Sequence, residues 1–235
     1  MEAQIAVAKI RKYATSNSGD TVEVVERPHG GLSVVLADGQ SSGRGAKSVS
    51  SLVVRKVISL LAEGVRDGAA ARAASDSLFT ERSGKVSATL NIVSIDQRTQ
   101  TMVITRNNPS PAFVAHYDKI QILDEASRPV GLYRNTRPQI TEIALETGVF
   151  VVVFSDGLEH AGERRGYPME INKCLQTLLD GESPSPQFIA DSLLEQAIKL
   201  DEGRPADDIS IVVVGVMRKE VDEIRRMIVL LPLDS

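Results

Sequence analysis

Residues Ala88–His116 read ATLNIVSIDQRTQTMVITRNNPSPAFVAH. Three segments in this stretch, Ala88–Ile95, Thr101–Arg106 and Ala112–His116, are rich in β-branched residues and read as strands. The links between them are too short for a helix. Working outward, the same pattern marks Gln4–Ile10, Thr21–Val25 and Leu32–Ala37 on one side, and Gln139–Leu145, Val149–Ser155 and Ile209–Met217 on the other. Successive strands without alternating helices point to antiparallel sheets with helices packed outside, hence an α+β sandwich rather than a doubly wound parallel sheet.

Helical periodicity is confined to blocks between the strand runs. From Ala46 to Val65, the residues Val49, Leu52, Val53, Val57, Leu60 and Leu61 share one face. A second helix is predicted over about Ala69–Phe79, a third near Met169–Leu179, and a fourth over Pro186–Leu200, with Ile189, Leu193, Ala197 and Leu200 aligned. Pro186 suits a first helical turn. Residues 1–218 are expected to form one domain, because the linker-like stretch DGESPSP (Asp180–Pro186) is too short to separate two. Residues 219–235 are expected to add a C-terminal helix, with Val221, Ile224, Ile228 and Leu231 in register, that either covers the sheet or offers a homodimer surface.

Composition narrows the function. The 235 residues carry 27 Lys+Arg against 31 Asp+Glu, a formal net charge of −4, which argues against a nucleic-acid partner. Aromatic content of 4% without Trp leaves little for base stacking. There is no apolar run of about 20 residues to span a bilayer, and no signal-peptide pattern at the start, so a cytoplasmic protein without a membrane partner is expected. The single Cys174 excludes an internal disulfide and a cysteine-built zinc site.

The chemistry is carried by aspartates at strand ends. Asp20 precedes Thr21–Val25 and Asp38 follows Leu32–Ala37, with the turn signal ERPHGG between the strands. A hairpin would bring both carboxylates to its open end. Asp156 closes Val149–Ser155, and Asp207–Asp208 open Ile209–Met217, so antiparallel pairing repeats the geometry. Any one of these aspartates can be a turn former or a cap. Gathered together they would repel one another unless cations intervene. All-oxygen ligation favours Mg²⁺ or Mn²⁺, and two such ions can activate water against a phosphoryl centre.

With these residues the chain resembles the metal-dependent type 2C-like (PPM) serine/threonine protein phosphatases, in particular the bacterial SpoIIE/RsbU/RsbX branch and its short RsbX-type members. The matching segments, in family order, are SGD (Ser18–Asp20), ADGQSSGRGA (Ala37–Ala46), SATLNIVSID (Ser87–Asp96), NNPSPAFV (Asn107–Val114), PVGL (Pro129–Leu132), FSDGL (Phe154–Leu158) and DDISIVVV (Asp207–Val214). The resemblance implies a β-sandwich flanked by helices, with two Mn²⁺ or Mg²⁺ ions at one rim and no catalytic side chain beyond their ligands. Asp38 would bridge the metals and the Gly39 carbonyl would bind the second. Asp156 and Asp207 would hold the first metal, Asp20 would serve the second, and Asp208 would stand behind the ligands. The implied substrate is a phosphoserine or phosphothreonine on a regulatory protein of the anti-anti-sigma (STAS) or stressosome type. Where eukaryotic relatives place a histidine after the bridging Asp-Gly, this chain has Gln40. Candidate substrate contacts are Arg44, which is otherwise a solvated loop cation, and Arg164 and Arg165.

Competing readings share these residues. GQSSG (Gly39–Gly43) satisfies G-x-S-x-G and lies between a strand and a helix, as in a serine hydrolase. That chemistry needs an acid and then a histidine downstream, and after Asp156 only His160 remains. Gly45-Ala46-Lys47-Ser48 misses a phosphate-binding Walker loop by one residue. Cys174 lacks the arginine six positions on that a cysteine phosphatase requires, since Asp180 stands there. A catalytically inactive, phosphatase-like binding module is the non-enzymatic alternative.

Overall fold

The computed structural model describes residues 1–116, 119–181, 184–218 and 224–233. One five-stranded antiparallel sheet contains, in spatial order, β1 (Glu2–Ile10), β10 (Ile209–Met217), β9 (Val149–Phe154), β6 (Ala112–His116) and β7 (Lys119–Leu123). The other is ordered β2 (Asp20–Glu26), β3 (Leu32–Gly39), β4 (Ala88–Asp96), β5 (Thr101–Asn107) and β8 (Gln139–Ala144). Helices α1 (Gly43–Ala62) and α2 (Asp67–Arg82) follow β3, while α3 (Asp156–Glu159), α4 (Ile171–Leu179) and α5 (Pro186–Leu200) lie between β9 and β10.

The central strands are apolar on both sides because both sides are covered. In β3, Val34 and Leu36 join Val151, Val153, Val212 and Val214 of the facing sheet in an inter-sheet core. Val35 and Ala37 point the opposite way, into a cluster with Val53 and Val57 of α1. Likewise, Ile211 and Val213 of β10 pack with Leu193 and Ala197 of α5. The result is a helix–sheet–sheet–helix stack, as the sequence led us to expect. Each fully buried Val, Leu or Ile stabilises it by roughly 1.5–3 kcal/mol.

Expected strands and helices are present, with ends shifted by a few residues. β7 was not anticipated: KIQIL is short and sits at a sheet edge, where only Leu123 is buried, so it lacks the apolar run of the inner strands. The C-terminal helix is a correction. Residues 224–233 carry no regular secondary structure, and Ile228, Val229, Leu230 and Leu231 are all exposed. Val221 lies outside the described residues. A helix this short is marginal without a face to dock, and Pro232 cannot continue one. Among the described residues no helix is long and apolar enough to cross a membrane.

Candidate metal centre

The site is built where two strand pairs end. The β2–β3 ladder places Asp20 directly opposite Asp38. In the other sheet Phe154 of β9 pairs with Ile211 of β10, which puts Asp156, just past β9, beside Asp207 and Asp208, just before β10. The two sets face each other: the Asp38 carboxyl is influenced by Asp20, Asp156 and Asp207. All four expected side-chain ligands therefore gather at one rim of the sandwich.

Both Asp-Gly steps have a packing reason that turn statistics do not capture. A Cβ on Gly39 would lie 2.1 Å from the Ala46 carbonyl oxygen, so α1 packs its first turns against this backbone. A Cβ on Gly157 would lie 2.1 Å from the Asp208 carbonyl oxygen. Each glycine lets a second element approach the residue after a rim aspartate. Gly39→Ala and Gly157→Ala should each lower stability by about 1–3 kcal/mol, measured by denaturant unfolding, because backbone must move to admit the methyl group. An unchanged midpoint for either variant would contradict this packing.

The electrostatics are those of a carboxylate cluster short of positive charge. Asp20 is fully buried, and neither of its carboxylate oxygens has a hydrogen-bond partner. Burial raises its pKa, opposed by the nearby Ser210 and Ser155 hydroxyls and by Lys9. Burial, followed by the charges of Asp20 and Asp156, pushes Asp38 up to about 9. Asp156 is raised by burial and by Asp207. Asp207 is half exposed, with its Oδ1 3.8 Å from Lys12 Nζ. Among the described residues, no three His, Cys, Asp or Glu side chains already stand at metal-ligand spacing. The rim is thus a ring of mutually repelling carboxylates rather than a closed cage. The buried, unpartnered Asp20 carboxylate and the all-oxygen donor set suit a hard divalent ion.

Asp208 does different work. Its Oδ1 accepts from the Lys12 amide at 2.8 Å and its Oδ2 from the Gly19 amide at 2.7 Å, which fixes the strand entry that carries Asp20. The residue expected behind the ligands thus has its carboxylate committed to two backbone amides.

Several contributors escaped sequence reading. Lys9 and Lys47 both donate to the Asp20 carbonyl oxygen, at 2.6 and 2.7 Å, and burial lowers the pKa of each. The lysine of the near-Walker segment therefore braces the rim. Asn108 donates to the Phe154 carbonyl at 3.1 Å and ties the NNPSP loop to the end of β9. Arg106 is almost fully buried and spans the carbonyls of Asn108, Ser110 and Glu125. Signals for these residues were absent because each acts on a backbone carbonyl distant in sequence or set by loop shape.

Of the expected substrate contacts, Arg164 and Arg165 line one cavity of about 360 Å³ beside the rim, whereas Arg44 is exposed on the first turn of α1 and does not line it. Gln40 is engaged elsewhere, its Oε1 accepting from the Ser87 amide and hydroxyl. The serine hydrolase reading keeps one feature, the left-handed φ of 77° at Ser41. It lacks its base. His29 sits in the β2–β3 turn at the opposite end of the hairpin, His116 ends β6 away from the rim beside Glu146, and His160 pairs with Glu163 at 3.1 Å.

The Stage II sporulation protein E (SpoIIE) family model matches residues 28–217. Two curated relatives, the Stage II sporulation protein E of Priestia megaterium and that of Bacillus subtilis (strain 168), are 23% identical over 208 residues and 22% identical over 200 residues. These alignments cover 88% and 85% of this chain but 35% and 24% of the relatives, so the chain spans about a third or less of their length. The PP2C phosphatase domain of SpoIIE from Bacillus subtilis, solved with a fragment of its regulatory domain, superposes with a TM-score of 0.80 at 20% identity, covering 94% of this chain and 64% of that one. RsbX in complex with magnesium gives 0.69 at 15% identity, with 91% and 95% covered. The catalytic domain of PstP in complex with 2 manganese ions gives 0.68 at 18% identity, with 92% and 99% covered. At such identities the structural likeness speaks to the fold.

Proposed function

The chain belongs to the SpoIIE family, and from that membership together with the acidic rim we propose that it is a metal-dependent protein serine/threonine phosphatase. The observation that carries this reading is the buried, unpartnered Asp20 carboxylate facing Asp38 in a ring that includes Asp156 and Asp207. Two Mn²⁺ or Mg²⁺ ions bound there would supply positive charge to the phosphoryl oxygens and lower the pKa of water so that, after losing its proton to solvent, it could act as the nucleophile toward phosphorus.

Each residue has a distinct task on this reading. Asp38, which feels carboxylates from both sheets, is the shared ligand. Asp156 and Asp207 serve one ion, and Asp20 with the Gly39 carbonyl the other. Asp208 holds Gly19 and Lys12 so that Asp20 and Asp207 keep their places. Gln40 carries no acidic proton and its Oε1 is held by Ser87, so it is not the group that protonates the leaving oxygen. Arg44, Arg164 and Arg165 face the substrate. The proposed substrate is a phosphoserine or phosphothreonine on a regulatory protein of the STAS or stressosome type, met in the cytoplasm. A homodimer contact through the C-terminal extension would use the exposed Ile228, Leu230 and Leu231.

The test is hydrolysis of an aryl phosphate. Turnover is expected with Mn²⁺ or Mg²⁺ and should fall by about 100-fold or more in chelator. Serine-directed acylating reagents should leave it intact. Full turnover in chelator, or stoichiometric loss on modifying Ser41, would replace this reading with the hydrolase.

A further inference from the structure

The cavity beside the rim is a site in its own right. It is formed by three chain segments distant in sequence: Lys12–Tyr13 after β1, Arg164–Arg165 in a single 3-10 turn after α3, and Asp201–Ala206 after α5. Asp201, only 5% exposed, builds its floor. One carboxylate oxygen of Asp201 accepts from the Gly162 amide at 2.9 Å and the other from the Ala206 amide at 2.8 Å. The third segment is attached through the Tyr13 amide, which donates to the Pro205 carbonyl at 3.0 Å. A buried carboxylate whose two oxygens each accept a backbone amide fixes the loops, and among the described residues no cation lining the cavity forms a salt bridge with it.

Those cations are only partly matched. Arg165 pairs with Glu202 at 2.9 Å, and Lys12 reaches Asp207 at 3.8 Å. The Arg164 and Arg204 guanidinium groups have no acidic partner and no side-chain hydrogen bond to protein among the described residues. The Arg204 guanidinium lies over the Tyr13 ring, 5.3 Å from its centroid, which holds its plane while leaving its N–H edge open. In a protein of net charge −4, two guanidinium forks turned into one cavity are a local reversal of sign. Lys12 lies in the wall between this cavity and the carboxylates, since its side chain meets Asp207 and its amide meets Asp208.

We propose that this cavity is a substrate subsite that takes a second oxyanion, carried by a side chain flanking the phosphorylated residue in the substrate polypeptide. This inference rests on the phosphatase reading and adds to it a sequence preference. A cavity of about 360 Å³ has ample room for a carboxylate or phosphorylated side chain with its flanking backbone. Guanidinium forks bind both groups in bidentate fashion. Placing that side chain beside Asp207 aligns the neighbouring phosphoryl group with the rim.

The experiment uses phosphoserine peptides in which all flanking positions are Ala except one, a single Glu, Lys or second phosphoserine walked along the chain. With wild type and Mn²⁺, one position should raise kcat/KM by about tenfold for Glu, and at least as much for phosphoserine, over Ala. In Arg164→Glu/Arg204→Glu that gain should vanish and Lys at the same position should become the better residue. Arg204→Lys, which keeps charge and loses the fork, should retain only part of the gain. Both arginines are exposed, so the variants should keep the wild-type melting temperature. A flat Glu walk in wild type, or a Glu preference that survives the double reversal, overturns the subsite. If aryl phosphate is turned over while the walk is flat, only the subsite falls. If neither aryl phosphate nor any peptide is hydrolysed, the phosphatase reading falls. The cavity is then judged by binding of the same labelled peptides, where equal anisotropy titrations for wild type and the double variant overturn it.

Discussion

Asp38→Asn should abolish turnover and at the same time raise the melting temperature of the metal-free protein. Asp38 lies between Asp20 on its own sheet and Asp156 and Asp207 on the other, which on the proposed reading makes it the carboxylate that serves both ions. Losing a ligand that both ions share should cost about 100-fold or more in kcat/KM. Burial and the neighbouring carboxylates keep Asp38 protonated at neutral pH, so folding of the metal-free wild type must take up a proton that the unfolded chain has released; asparagine removes that cost, and the gain should be on the order of 1 kcal/mol or more at neutral pH. At this chain length each kcal/mol corresponds to about 2–4 °C. Asp208→Asn should behave in the opposite way. Its carboxylate accepts two amide protons, from Lys12 and Gly19. An amide group supplies one acceptor and turns a donor toward the second N–H, for a loss of about 1–3 kcal/mol. Activity should drop less than for Asp38. Equal kcat/KM for wild type and Asp38→Asn at saturating metal would remove this rim from the chemistry. A lower metal-free melting temperature for Asp38→Asn would show that the ring is not repulsive.

Metal should stabilise the fold far more in alkaline than in acidic buffer. The folded Asp38 carboxyl holds its proton up to about 9, whereas the unfolded chain releases it near the ordinary value of 3.8. Between those values the folded state binds more protons than the unfolded one, so the metal-free protein loses stability as pH rises through the window. The upward shifts of Asp20 and Asp156 act in the same direction. Divalent cations require the deprotonated carboxylates, so their affinity grows over the same range and their binding releases protons. The rise in melting temperature on adding Mn²⁺ should therefore be larger near pH 8.5 than near pH 6, by about 5 °C or more. Calorimetry in buffers of different ionisation enthalpy should register the released protons. A pH-independent stabilisation with no proton release would place the bound ion away from Asp38.

The fold was legible because its inner strands are covered on both sides and therefore read as continuous apolar runs. The β2–β3 hairpin was legible because ERPHGG leaves one pairing, and that pairing sets Asp20 against Asp38. Edge strand β7 was not legible, for it buries one residue of five and looks like loop. The helical stripe over the C-terminal residues was misleading, since periodicity reports a face and says nothing about whether a surface exists to receive it. The aspartates could be found from their positions at strand ends. Lys9, Lys47 and Asn108 could not, because their partners are backbone carbonyls that carry no residue identity. The cavity of Arg164 and Arg204 was half visible: two arginines stood out in sequence, but only the Asp201 staple brings the other wall to them.

The place of β10 governs when the acidic rim is completed during synthesis. β10 lies between β1 and β9, with Ile5 opposite Val214 and Val153 opposite Val212, so the last strand joins the first strand to a late one. Until it docks, β1 has no neighbour in its sheet, Asp207 is not beside Asp156, and the inter-sheet core lacks Val212 and Val214. A nascent chain emerging from the ribosome can form the β2–β5 meander early, yet it leaves β1 unpaired until β10 has been made, a hazard for aggregation. Closure across nearly the whole chain also makes folding slow. The acidic rim is therefore assembled only when β10 docks, and a chain arrested before Met217 should accumulate as a chaperone-dependent intermediate with an incomplete rim.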